Sequence, residues 1–214
     1  MKNNIIIFRH LGLEHWRTTF NKMNAFTTSR NLYTFDEIWF VQHYPIFTKG
    51  QLNKDENIIH LNNIPLVCAN RGGQITYHGP GQQILYFLIN LKRRKISIRE
   101  LIDIMHKIII ETLKNFSIES YIKKKSPGVY VYQKKICSLG LRVKKGSTLH
   151  GLALNVNMDL KPFKYIHPCG DAKINMTQIK DFNPNIQLKD IRTILIDNLS
   201  KLFNVIMING KNIK

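Results

Sequence analysis

Acidic side chains are scarce in this sequence. Its 214 residues carry 14 Asp and Glu against 32 Lys and Arg, a formal net charge of +18. A surface of that sign attracts nucleic acid or an acidic protein. The lysines are scattered, however: Lys123, Lys124, Lys125, Lys134, Lys135, Lys144, Lys145, Lys161 and Lys164 fall in different segments. Lys, Asn and Ile are all abundant, as an A+T-rich coding sequence produces, so part of the charge is compositional. Aromatics interleaved with basic residues, which single-stranded RNA binding uses, are also missing. Charge alone does not choose between RNA and a protein, but the aromatics, which lie mostly in apolar periodic segments, argue for no nucleic-acid partner.

Cysteine is sparser still. The three residues Cys68, Cys137 and Cys169 are too few, and odd in number, for a disulfide framework. No C-x-x-C or H-E-x-x-H spacing occurs, so neither a metal nor a cofactor is expected. No apolar run approaches the roughly 18 residues of a membrane helix. The longest near the start, Ile5-Ile6-Ile7-Phe8, is too short for a signal-peptide core. The expectation is a cytoplasmic chain with no membrane partner. Internal repeats and Pro-, Gly- or Ser-rich linkers are absent too. With 43% hydrophobic residues, enough for a real core, the expectation is one domain over 1–214.

What is present reads as mixed α and β. Strands are expected at 5–9, 37–42, 65–69, 83–91, 128–132, 136–143 and 149–157. Leu13, Trp16, Phe20, Met23 and Phe26 recur at helical steps. Ser97-Ile98-Arg99-Glu100 fits a capping box ahead of a stripe formed by Leu101, Met105, Ile108, Ile109, Thr112, Leu113 and Phe116. A closing helix spans about 189–203, and 133–135 suggests a hairpin turn. The predicted class is α/β, in the sense of an α+β mixed sheet with flanking helices, rather than a regular βαβ repeat.

Three features could carry chemistry. Arg71-Gly72-Gly73-Gln74-Ile75-Thr76-Tyr77-His78-Gly79-Pro80-Gly81-Gln82 packs four glycines and a proline among hydrogen-bonding side chains. It reads as a shaped binding loop or as a glycine-rich turn without a ligand. Pro168-Cys169-Gly170 sets a cysteine in a loop, where it is a nucleophile or an exposed thiol. An ordinary thiol, with pKa about 8.5, is only ~3% thiolate at pH 7, so a nucleophile needs a nearby cation. His167 and the Lys134-Lys135 pair are the candidates. Lys135 by itself reads first as a solvated surface charge, and Cys68 and Cys137 as small core residues. His78 suits a substrate contact or a structural hydrogen bond, and His150 precedes small residues that permit close approach.

In that order, 71–82, Lys135-Ile136-Cys137-Ser138-Leu139-Gly140, His150-Gly151-Leu152-Ala153 and Pro168-Cys169-Gly170 closely resemble the lipoyl(octanoyl) transferase family. The resemblance runs from about 37 to 179 and includes 43–50 and 90–94. Trp16 stands where that family's pattern has tyrosine. The resemblance implies a fold similar to the biotin/lipoate ligase catalytic domain. It implies that Cys169 accepts an octanoyl group from octanoyl-acyl carrier protein as a thioester. Lys135 would lower the thiol pKa or act as general acid/base. Substrate contacts would come from Arg71, Gly72, Gly73, Gln74, Ile75, Thr76, Tyr77, His78, Ser138, Leu139, Gly140, Gly151, Leu152 and Ala153. The acceptors would be lysines on lipoyl domains of 2-oxoacid dehydrogenase complexes and the glycine cleavage H protein. Backbone N–H groups near Gly72-Gly73 or 138–140 are candidates for an oxyanion site. An ATP-dependent lipoate or biotin ligase of the same fold is the runner-up; a basic RNA-binding protein is a remote third.

Overall fold

The structure, a computed structural model, describes residues 4–124 and 126–212, without the side chains of Asp55 and Cys169. Its centre is an eight-stranded mixed sheet in the order β11-β1-β2-β6-β10-β9-β8-β7. These strands are β1 (Ile5–Glu14), β2 (Asp36–His43), β6 (Gln82–Leu88), β7 (Tyr121–Lys123), β8 (Ser126–Val131), β9 (Lys134–Lys144), β10 (Ser147–Asn155) and β11 (Ile206–Asn209). β1 pairs in parallel with β2 and β11; the remaining neighbours are antiparallel. A second sheet of three short strands, β3 (Ile46–Lys49), β4 (Leu66–Cys68) and β5 (Ile75–His78), has the order β4-β3-β5.

Alternation along the strands divides the core in two. Ile38, Phe40, Leu85 and Phe87 face α3 (Ile98–Lys114) and α4 (Leu188–Phe203). Trp39, Val41, Ile84 and Tyr86 face α1 (Trp16–Ser29) with Met23. Period-two alternation on a sheet covered on both faces produces this split. α3 starts at the expected box: Ser97 Oγ accepts the Glu100 N–H at 3.2 Å, and Glu100 Oε2 accepts the Ser97 N–H at 2.7 Å. α1 has no side-chain cap and depends on the residues it buries.

Several expectations need correction. β1 continues to Glu14, so Leu13 lies on a strand and the helix begins at Trp16. The segment 71–82 is not all loop. Four of its residues form β5, because pairing with β3 satisfies their backbone groups. Cys68 is exposed, since β4 is an outer strand of the small sheet. The 133–135 turn lies one residue earlier, with Tyr132 and Gln133 both left-handed (φ +44° and +70°) as a two-residue hairpin turn requires. That shift puts Lys134 and Lys135 inside β9. The strands β3, β7 and β11 were too short for their periodicity to show.

One buried carboxylate ties the end of the sheet together. Asp36 accepts from Arg30 Nη2 and Arg93 Nη2 at 2.5 Å each, from Arg94 Nε at 2.7 Å and from the Asn90 N–H at 2.9 Å. The same arginines reach the carbonyls of Leu88, Thr34 and Ile5. The C-cap of α1, β1, β2, β6 and α2 (Leu91–Arg94) thus converge on one side chain. Asp36→Ala strands three guanidinium groups in the interior and should cost about 3–5 kcal/mol. Urea unfolding would measure it; a loss below about 1 kcal/mol would refute the clamp.

Candidate active site

The small sheet leans over β9 and β10 and leaves a cleft of about 90 Å³ between them. Arg71, Gly73, Gln74, Ile75, Thr76 and His78 form one wall. Ser138, Leu139 and Gly140 of β9 and His150, Gly151, Leu152 and Ala153 of β10 form the other. Lys135, Pro127 and Pro168 close one side, and Trp16, Ile84 and Tyr86 complete the lining. The Gly72 N–H donates to the Leu141 carbonyl at 2.9 Å and sews the two walls together.

Lys135 is 1% exposed, which reverses its reading as a surface lysine. A register shift between Val129 and Tyr130 opposite Lys135–Cys137 inserts one extra residue on β9. Such a bulge re-aims a side chain. Segment 175–177 locks the strand from outside, with Lys135 N–H donating to Asn175 O at 2.8 Å and Thr177 N–H to Lys135 O at 3.0 Å. The ammonium lies 5.7 Å from the centre of the Tyr130 ring. Gly128 provides the slot for its stem: a Cβ there would stand 2.3 Å from Lys135 Cε.

Arg71 is also buried. Its Nη2 donates to Thr48 O at 2.7 Å and Thr48 Oγ1 at 2.9 Å, and its Nη1 to Gly72 O at 3.0 Å. Around it lie three buried histidines, all held neutral. His43 Nδ1 donates to the Glu14 carbonyl at 3.0 Å, so its Nε2 accepts from the Tyr86 hydroxyl at 2.7 Å. His78 Nδ1 donates to Gln82 Oε1 at 2.7 Å, because Gln82 Nε2 is committed to Asn155 Oδ1 and Tyr77 O. Its Nε2 then accepts from Thr48 Oγ1 at 3.3 Å. His150, left-handed at φ +62°, places Nε2 at 2.6 Å from Asn70 Oδ1. Burial pushes His43 down to about 4 and His78 to about 3, the latter helped by the neighbouring His43 and Arg71. Burial, then Arg71, pushes His150 down to about 3.

Of the residues expected at the site, the structure gathers thirteen around this cleft. Two do not line it. Gly72 is spent on the Leu141 bond, so its N–H is no oxyanion donor. Tyr77 points the opposite way from Thr76 along β5, into the cluster with Phe47, Met158 and Phe163. The Cys169 side chain lies outside what the structure describes; its backbone sits in the 3-10 turn Pro168–Gly170. Ile84, Tyr86 and Pro127 carry no local motif that marks them for the site, and Trp16 is marked only as the position where the family's pattern has tyrosine. They reach the cleft through packing of α1, β6 and β8. Cys137 is core, as expected, with burial pushing its thiol up to about 12. Among the described residues, no three His, Cys, Asp or Glu side chains gather as metal ligands would. No helix among them is long and apolar enough to cross a membrane.

The model of the lipoyl protein ligase A/B catalytic domain matches residues 17–200. The chain belongs to that family. It is 69% identical over 210 residues to the octanoyltransferase of Buchnera aphidicola subsp. Acyrthosiphon pisum, covering 98% of this chain and 100% of that one. Solved structures that share the fold are more distant in sequence. A bipartite lipoate protein ligase of Thermoplasma acidophilum superposes with TM-score 0.76 at 17% identity, over 97% of this chain and 86% of that one. The biotin protein ligase of Aquifex aeolicus gives 0.56 at 14% identity, over 94% and 70%. These likenesses show the fold, as a mixed sheet with flanking helices shared with lipoate and biotin ligases.

The neutral histidines make the fold of this family member acid-sensitive. Their native pKa values lie below the ordinary 6.5, so the unfolded chain binds more protons as acid is added. Their contribution is complete above about pH 6.5 and is lost as pH falls toward 4 and 3, by up to about 1.4 kcal/mol per pH unit for each ring. Melting temperatures between about pH 7 and 4.5 should fall less steeply for His78→Gln than for the wild type. Equal slopes would contradict a neutral His78.

Proposed function

We propose that this chain transfers an octanoyl group from octanoyl-acyl carrier protein to a lysine of a lipoyl domain, through a thioester on Cys169. Octanoyl transfer in lipoate synthesis follows from the near-full-length relatives called octanoyltransferases. A protein acceptor fits the same relatives, and the Thermoplasma ligase is described with an E2 lipoyl domain. The donor, the thioester and the roles of individual residues are our reading. One observation carries it: a buried lysine and the turn that bears Cys169 border one cleft.

The chemistry needs no outside energy source. A Cys169 thiolate adds to the donor's thioester carbon, and collapse expels the carrier sulfur with its electron pair. Lys135, as ammonium, gives that sulfur a proton and becomes neutral. An acceptor amine then attacks the enzyme thioester, and its surplus proton passes to Lys135 as the Cys169 sulfur leaves. The starting ion pair is restored, and the amide product makes the second step downhill. Lys135 thus serves as general acid and then general base. The octanoyl tail lies against Leu139, Leu152 and Ala153, where each buried methylene contributes up to ~0.8 kcal/mol. Acyl carrier proteins are typically acidic, which suits a chain of +18. We further read the chain as one catalytic domain, working in the cytoplasm without a cofactor, metal, membrane or nucleic acid.

Incubation with octanoyl-acyl carrier protein, without ATP, tests this directly. Intact-mass measurement should show one octanoyl adduct, absent from Cys169→Ala. An adduct that persists on that variant would remove Cys169 as the acceptor, and a requirement for ATP would point to a ligase. Lys135→Ala should slow turnover by roughly 10²-fold or more.

A further inference from the structure

Gln74 is held by its oxygen. Asn57 Nδ2 donates to Gln74 Oε1 at 2.6 Å. Backbone groups decide the sense of that bond. The Ile75 N–H donates to Asn53 Oδ1 at 3.1 Å, and Asn53 Nδ2 donates to the Lys54 carbonyl at 2.8 Å. Asn53 therefore turns an oxygen toward Asn57 Nδ2, 3.5 Å away. Asn57 accordingly presents its amide nitrogen, not its oxygen, to Gln74. With its own oxygen engaged, Gln74 keeps its N–H groups for other partners.

Beside that amide is the turn Pro168–Gly170. A Cβ on Gly170 would stand 2.3 Å from Gln74 Oε1 and 2.6 Å from Nε2. The carboxamide rests on the Gly170 backbone, one residue after Cys169, and any side chain there would force it to shift. Gln74 and Pro168 line the same cleft. Asn57 is 4% exposed, and its carbonyl accepts the His167 N–H at 2.8 Å. One buried residue therefore holds both the turn and the amide beside it.

We propose that Asn57 is a positioning residue for acyl transfer, setting Gln74 so that its Nε2–H donates to the acyl carbonyl oxygen. This rests on the Cys169 thioester proposed above. As the thiolate sulfur bonds to the carbonyl carbon, the C=O π pair moves onto oxygen. Gln74 donates a hydrogen bond to that oxygen and keeps its proton. When the carbonyl re-forms, the bond to the carrier sulfur breaks and the electron pair leaves with it.

The test compares two reactions of Cys169 in wild type, Gln74→Ala, Asn57→Ala and Asn57→Asp. One is single-turnover octanoylation by octanoyl-acyl carrier protein, read by mass. The other is alkylation of the Cys169 peptide by iodoacetamide, which forms no oxyanion, with rates compared at the alkaline plateau. Gln74→Ala should octanoylate about 100-fold slower and Asn57→Ala about tenfold slower, with alkylation plateaus within about twofold of wild type. Asn57→Asp should be slower than Asn57→Ala, because a carboxylate only accepts and would draw the Gln74 Nε2 away from the substrate. A purely structural role predicts the reverse order, since Asp is the closer isostere. The inference fails if Asn57→Asp octanoylates as fast as Asn57→Ala, or if alkylation falls in step with octanoylation. A wild type with no adduct on Cys169 overturns the thioester reading and this inference with it; normal adduct formation in all three variants overturns this inference alone.

Discussion

Burying one ammonium organises this molecule. Removing a lysine from water costs several kcal/mol unless its surroundings compensate. Lys135 is accommodated by a strand bulge, a glycine slot, an aromatic face and an outer segment hydrogen-bonded to its backbone. Those contacts come from β8, β9 and residues 175–177, just beyond the turn that bears Cys169. The charge and the turn are thus held by one stretch of chain, and the hairpin cannot slip register without exposing both. A one-residue slip would turn every side chain of β9 to the opposite face.

The cleft around Lys135 is cationic without being crowded by charge. Arg71 and Lys135 are buried at its edges, while His43, His78 and His150 are neutral. Protonating any of these rings would add like charge to an enclosed space. The hydrogen bonds also fix the tautomers: each ring donates on one side, and His43 and His78 accept from a hydroxyl on the other. The resulting floor is rigid and uncharged, which leaves the two cations as the main source of field where negative charge would develop.

Much of this could be read from the chain, for identifiable reasons. The α3 capping box and stripe, the closing helix and the longer strands announce themselves through local spacing. So do the motif segments, because glycines and special turns are local facts. What escaped reading depends on distant partners. β3 and β5 are four residues long each and exist because they pair. Trp16 and Tyr86 look like ordinary apolar periodicity and enter the cleft only when α1 packs on β6. By local spacing Lys135 is indistinguishable from its neighbour Lys134; only the family resemblance singles it out, and the turn at 132–133 and the β9 bulge are what bury it. Asn57 sits in a polar stretch that gave no signal at all.

The Asp36 clamp bears on how this composition arose. Lysine dominates the basic residues, and over most of the surface an ammonium on a flexible stem serves as well as a guanidinium. It is a poorer fit where one head group spans a carboxylate and a separate carbonyl through different nitrogens of a planar fork, as Arg30, Arg93 and Arg94 do. Arg9, forked onto Glu37, and Arg71, forked onto Thr48, are of the same kind. In a chain whose composition leans toward A+T-rich codons, arginine therefore works as a tracer. Five of the nine arginines stand where geometry, and not charge alone, sets the requirement.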